Sequence, residues 1–235
     1  MTAAAIERLV LDAAIGMEVR GRSKAGLHEL GERADLEPVI ATAWQTSLAD
    51  KRVEIGYKTT IPCWECVGRV DVRVRPAQDS NRLDLAAELK WCRTGQMYEA
   101  IWDLFKMALL ALREDVGPTY LITGAPAHRW TDDPCRDIFE NRIHEPIELF
   151  ARRFSSPTRR LMWDAALEGG YDCHPDAVPA RIRTAVIADE PIEHHAGDWA
   201  IRAVEVTPLE GLIPIRGGWP NGERPADASR PAPKA

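Results

Sequence analysis

Asp71, Glu88 and Lys90 are the residues of this chain best suited to chemistry, because the patterns around them set two carboxylates and an ammonium on polar strand faces. In residues 68–74, Val70, Val72 and Val74 alternate with Arg69, Asp71 and Arg73, so a period of two turns Asp71 away from the apolar face. In residues 83–91, Leu85, Ala87, Leu89 and Trp91 take one face, leaving Asp84, Glu88 and Lys90 on the other. If the two segments pair as a hairpin, the three side chains converge. Two carboxylates a few ångströms apart bind a hard divalent cation through oxygen, and Mg2+ keeps positions for water and phosphate. Such an ion orients an attacking water and offsets charge on a scissile phosphate. Lys90, two residues past Glu88, is expected beside it, placed to position or help deprotonate that water.

Several elements must hold these strands. Asp35 reads as the N-cap of a helix whose stripe is Leu36, Ile40, Ala43, Trp44, Ser47 and Leu48. Residues 53–60 read as a strand, and the two motif strands follow. Thr94-Gly95 opens an apolar helix, with Met97, Ile101, Leu104, Phe105, Ala108 and Leu112 at helical spacing, up to about Arg113. Gly117-Pro118 stops it, and residues 119–123 form a short buried strand ending at Gly124. The expected order is α-β-β-β-α-β, with the acids on its second and third strands.

With Asp71 on one strand and Glu88-Leu89-Lys90 on the next, the chain resembles the PD-(D/E)XK nuclease superfamily. The resemblance implies an α/β restriction-endonuclease-like core with a mixed sheet at about residues 35–124. It also implies a Mg2+ or Mn2+ cofactor and a nucleic-acid substrate, DNA before RNA. Asp71 would be the carboxylate shared by the metal ions, Glu88 a second ligand, Leu89 a ligand through its main-chain carbonyl, and Lys90 the catalytic lysine. The proline that names the motif is absent, since Arg69-Val70 precede Asp71. Members often add an acid from the helix before the first strand. Glu37 is the candidate by position, although a first-turn acid also complements the helix dipole. Glu7, Glu18 and Glu29 are weaker alternatives. Gln96, Tyr98 and Glu99 lie near enough to Lys90 in sequence to face the same cleft, or form the exposed first turn of their helix.

The chain has 235 residues, 45% of them hydrophobic, enough for a full core in one domain over 1–216. Beyond Gly124 helices are expected to open at Asp133-Pro134 and at Pro146, and to run from Ser156-Pro157 to Gly169-Gly170. Two more strands follow at 181–188 and 199–206. Residues 217–235, rich in proline without periodicity, read as a disordered tail. The first helix, 3–15, carries Glu7, Arg8 and Asp12, and neither a signal peptide nor a membrane span is expected. The expectation is a cytoplasmic protein with no membrane partner, a homodimer being allowed.

A formal charge of −6 does not announce a nucleic-acid binder, yet Arg20, Arg22 and Lys24, then Arg69, Arg73 and Arg75, then Arg152, Arg153, Arg159 and Arg160 are local basic groups that could form a track. Each is equally explained as a solubilising surface. Cys63 and Cys66 have Cys-x-x-Cys spacing without a second pair, so zinc would need Cys92, Cys135, Cys173 or His174 brought in by the fold. His194, His195 and Asp198 read as an exposed turn between the last two strands. Two readings compete with an enzyme: a catalytically silent nuclease-like module binding nucleic acid or protein, and a zinc-stabilised interaction protein.

Overall fold

β3 (Leu85–Trp91) is covered on both faces, which is why its sequence carries so few polar residues. Leu85, Ala87, Leu89 and Trp91 point into one apolar cluster and Ala86 into another. In the computed structural model, which describes residues 3–63, 67–78, 82–92, 99–131, 139–140, 146–148, 176–193, 198–209, 211–216 and 219–220, β3 lies inside a mixed sheet. Before it come α1 (Ala3–Arg22), α2 (Glu37–Ser47), β1 (Lys51–Thr60) and β2 (Val67–Pro76). After it come α3 (Glu99–Leu110), β4 (Thr119–Pro126), β5 (Pro146–Glu148), β6 (Ala177–Pro179), β7 (Arg181–Ile192), β8 (Trp199–Pro208), β9 (Leu212–Arg216) and β10 (Trp219–Pro220).

Among the described residues the main sheet has the order β1-β2-β3-β4-β8-β7-β5, and β10-β9-β6 form a smaller one. β3 and β4 are parallel, joined by a crossover that contains α3, and the other neighbours in the main sheet are antiparallel. The fold is therefore α/β. α1 and α2 cover one face: Ile6, Leu9, Val10, Ala13 and Met17 recur at helical spacing and pack with Trp44, Val72, Leu89 and Ile201. α3 and the small sheet cover the other, where Leu104, Phe105 and Ala108 meet Val70, Leu121, Val178 and Val204. Full burial of each large aliphatic side chain contributes about 1.5–3 kcal/mol, so these two layers fix the sheet between them.

Trp91 ends β3 and depends on a glycine opposite. A Cβ on Gly124 would fall 2.2 Å from its indole. The ring stacks on Trp199 at 4.9 Å between centroids, and its Nε1 donates to the Leu27 carbonyl at 3.1 Å.

Several expectations need correction. α1 runs seven residues past residue 15, to Arg22, since Met17 and Gly21 continue its buried stripe. Asp35 does not cap α2: a π-turn over Glu32–Leu36 leads into the helix, and the Asp35 carboxylate instead accepts the Gly31 amide at 2.8 Å. Pro146 opens no helix; Pro146–Glu148 pairs with β7 as an edge strand, where a missing N–H is tolerated. Trp219–Pro220 pairs with β9 inside the stretch read as a tail, and residues 221–235 lie outside the described residues. So do the expected helices at 133 and 156, the start of the helix at 94, and Cys66, Cys135, Cys173, His174, His194 and His195. No helix among the described residues is long and apolar enough to cross a membrane.

Candidate active site

The site forms where β2 and β3 part. Their antiparallel ladder spans Val74↔Leu85, Arg73↔Ala86 and Val72↔Ala87. The next opposed residues in this register are Asp71 and Glu88. There the ladder ends, and each carboxylate bonds the other strand: Leu89 N–H donates to Asp71 Oδ2 at 3.0 Å, and Asp71 N–H donates to Glu88 Oε1 at 3.3 Å. Amides left over at the fork are satisfied by the two acids, which locks both side chains in place.

A local break in β1 shapes the fork. Gly56 has φ +65°, in the left-handed region glycine enters freely, and the Gly56–Asp71 pair is missing from a register that otherwise continues unshifted from Ile55↔Val72 to Tyr57↔Val70. Side-chain parity changes across this missing pair. Val72 and Val74 belong to the cluster under α1 and α2, but Val70 belongs to the cluster under α3. Asp71 lies at the change of hand.

Two lysines and further acids complete the constellation. Glu88 is 2% exposed, and the Lys106 ammonium of α3 lies 2.6 Å from its Oε2. Lys106 also reaches Asp103 at 3.3 Å. Lys90 lies between Asp103 at 3.8 Å and Glu32 at 3.7 Å. Glu37, expected as the helical acid, is 8% exposed; its Oε1 has no hydrogen-bond partner and its Oε2 stands 3.8 Å from Arg69.

Burial pushes the Glu88 pKa well above its ordinary value; Lys106 pulls against this, while Asp71 and Asp103 add to the rise. Glu32 is raised by burial and by Asp71 and Asp103 against the pull of Lys90. Glu37 is raised by burial and then by Asp71, against Arg69 and Arg33. Asp71 thus raises three separate carboxyls. Lys106 is held protonated more firmly than usual, since Glu88, Asp103 and Asp71 outweigh its burial.

Asp71, Glu88, Asp103 and Glu32 face the ammoniums of Lys90 and Lys106 alone within this set. Fully ionised, the cluster lacks two positive charges. The donors are hard oxygens, the kind a divalent cation takes, and Asp71, Glu88 and the Leu89 carbonyl are the groups that could hold one. Among the described residues no three His, Cys, Asp or Glu side chains are grouped to hold an ion by themselves. Mg2+ needs no such cage, because it is commonly held by one or two carboxylates and substrate oxygens.

Sequence reasoning missed Glu32, Asp103 and Lys106. Asp103 and Lys106 stand one turn apart on α3, and such a pair within an otherwise apolar helix was the available signal. Glu18 pairs instead with Arg22, and Glu29 with His28. Arg20 and Lys24, candidates for a basic track, are committed to Asp35. Cys63 is a half-buried free thiol, whose pKa is raised by burial and by Asp176. Asp198 lines a separate cavity of about 660 Å3 with Trp130, Asp189 and Arg202; there Arg202 is already paired with Asp189 at 2.9 Å and with Glu140. No family model matches this sequence, and no curated protein or solved structure is significantly similar to it.

Proposed function

We propose that this chain is a divalent-metal-dependent nuclease of the PD-(D/E)XK type, with a restriction-endonuclease-like core running from α2 to β4. The observation that carries the reading is the fork itself: Asp71 and Glu88 bond each other's strands at the end of a ladder, in a cluster short of two positive charges. The order α2-β1-β2-β3-α3-β4, with the acids on its second and third strands, supports it.

A bound Mg2+ or Mn2+ would supply Lewis acidity at the scissile phosphate and a more acidic water. Asp71 and Glu88 are fixed by the opposing amides, and an ion at Glu88 would share or displace the Lys106 ammonium at its Oε2. Lys90, leashed between Glu32 and Asp103, can hold a water by hydrogen bond, accept its proton through a neighbouring carboxylate, or pair with a phosphate oxygen. Glu37, with a buried unpartnered oxygen beside Asp71, can orient a metal-bound water.

One observation favours a second reading, a silent nuclease-like module that binds nucleic acid or protein. Lys106 stands at 2.6 Å from Glu88, so the protein already has a cation at one ligand. Cleavage separates the two. Single-stranded, duplex and branched DNA, and RNA, are incubated with Mg2+ or Mn2+ and wild type, Asp71→Ala or Lys90→Ala. The nuclease reading expects cleavage by wild type and a loss of roughly a hundredfold or more in either variant. Should wild type cut nothing, or both variants cut as well as wild type, the silent module is the reading that survives.

A further inference from the structure

Asp103 is an acid for which the cleavage scheme has no task of its own. We propose that it is a positioning residue, the second seat of the Lys106 ammonium, which pairs with Glu88 here and moves to Asp103 when a divalent ion takes its place. The inference deepens the nuclease reading and rests on the ion which that reading sets at the fork.

The first reason is that Asp103 is buried where Lys106 does not need it. Every residue of α3 over 103–110 is buried, and only Asp103 and Lys106 among them are charged. Glu88 already gives Lys106 a partner at 2.6 Å. A second buried carboxylate adds its own desolvation cost and repels Glu88, so for stability alone an apolar residue would serve at least as well. The use of Asp103 lies outside the Lys106–Glu88 pair.

The second is the division of its oxygens. Oδ1 stands 3.3 Å from the Lys106 ammonium and Oδ2 3.8 Å from that of Lys90, so one carboxylate serves both lysines. Residues three apart on a helix face the same way, and the approach of Lys106 to Oδ1 is therefore built into α3. The lysine stem is flexible, and its ammonium has to travel only about half an ångström to close a charge-assisted bond of roughly 2.8 Å. Oδ2 meanwhile keeps Lys90.

The third is what would happen without it. An ion at Glu88 and Asp71 repels the ammonium beside Glu88, and the Lys106 side chain is only 11% exposed, too little for water to take it over. A buried ammonium with no second acid opposes the binding that displaces it. With Asp103 in place the charge is handed on within the protein, and Glu88 is released. Lys106 thus aligns Glu88 beforehand, and Asp103 makes the pair separable.

Calorimetric titration with Mn2+ alone, on the full chain and without nucleic acid, tests the exchange. Asp103→Asn should weaken Mn2+ binding by roughly tenfold or more, the scale of losing a residue that supports a ligand, and Asp103→Glu should restore most of it. The loss should vanish in a Lys106→Met background, where no ammonium needs a second seat. A direct pull of Asp103 on the ion, or a purely structural role, would give the same loss in both backgrounds. Should Lys106→Met not fold, Lys106→Gln replaces it, since its amide can still donate to Glu88. An independent readout in wild type is the nitrogen resonance of the Lys106 ammonium, which saturating Mg2+ should shift. An unmoved resonance, no Mn2+ binding by wild type, or an Asp103→Asn loss that is absent or equal in both backgrounds would overturn the exchange. If the coupling is found while wild type cleaves nothing, the nuclease reading falls and the exchange stands. If cleavage depends on Asp71 while the coupling is absent, the exchange falls alone.

Discussion

Asp35 and Glu88 are both buried carboxylates, 1% and 2% exposed, yet their surroundings push them in opposite directions. Burial raises both. Around Asp35 the opposing donors win: both oxygens accept from Lys24 at 2.9 Å, the Gly31 amide donates at 2.8 Å and Arg20 at 3.3 Å, and its pKa falls below the usual range. Around Glu88 a single ammonium must serve Asp103 as well, with Asp71 close by, and the pKa rises. Burial alone therefore does not mark a functional acid. What separates the two is the local balance of charge: Asp35 is complete within the protein, and Glu88 sits in a group that a divalent cation would complete.

The largest expected effect comes from removing the cation at Glu88. Lys106→Ala leaves a buried carboxylate without its partner and should cost about 3–5 kcal/mol in EDTA. At 2–4 °C per kcal/mol for a chain of this size, the thermal midpoint should fall by roughly 10 °C. Mn2+ should restore more stability to this variant than it adds to wild type, since the ion takes over the ammonium's role. A cost below about 1 kcal/mol would break the comparison, because Glu88 would then not depend on a counter-charge.

Asp35→Asn comes next, at about 2 kcal/mol, the value of hydrogen bonds to a charged acceptor. Its loss should be the same with and without divalent metal. The sign with pH is also fixed. Asp35 has a folded pKa below its unfolded one, so its contribution is present above about pH 3.8 and is lost as pH falls through the lowered value. The acid limb of the stability curve should therefore be shallower in Asp35→Asn, as read by denaturant titration at stepped pH.

Much of this arrangement was legible in the sequence. The strands carrying Asp71 and Glu88 alternate in sequence and pair antiparallel as expected through Val72↔Ala87, but Val70 leaves the face that Val72 and Val74 share. The fork was not legible. It depends on Gly56 entering the left-handed region within β1 and on the pair lost there opposite Asp71, and a lone glycine in a strand pattern does not say which residue opposite is left unpaired. Glu32 was missed because a π-turn, rather than an N-cap at Asp35, turns residues 32–36 toward β3. Lys106 was missed because its helix reads as core, and its nearer acid, Glu88, stands eighteen residues away on another element. Small strands such as β6 and β10, two or three residues long, carry no periodicity to detect.

A smaller effect belongs to pH in the absence of metal. Glu88, Glu32 and Glu37 have folded pKa values raised above 4.5, so over the window above that pH the folded protein holds more protons than the unfolded chain. Stability should then fall as pH rises through the raised values, by at most about 1.4 kcal/mol per pH unit for each proton. Saturating Mg2+ should flatten that decline, because the ion neutralises what protons otherwise neutralise. Thermal midpoints measured in EDTA and in Mg2+ from about pH 4.5 upward should diverge with rising pH; parallel curves would mean that no ion enters the fork.

The smallest change in stability should come from Glu88→Gln, and it sharpens the contrast with Asp35→Asn most directly. The amide oxygen can still accept from the Asp71 N–H, but the NH2 then takes the place of the oxygen that met Lys106, donor against donor, and Lys106 is left with Asp103 at 3.3 Å. One negative charge leaves a cluster that has too many. In EDTA at neutral pH the two effects nearly cancel, and the variant should lie within about 1 kcal/mol of wild type, with stabilisation the favoured sign. In Mg2+ the order reverses. Wild type gains RT ln(1 + [L]/Kd), about 2.7 kcal/mol at a hundredfold excess over Kd, whereas the variant has lost one of two carboxylate ligands and should gain little. The same chemical substitution at Asp35 and at Glu88 would then give a large metal-independent loss in one case and a metal-dependent difference in the other. Equal losses at both positions, with no influence of Mg2+ on either, would make Glu88 a structural acid like Asp35 and leave the fork without a role for a cation.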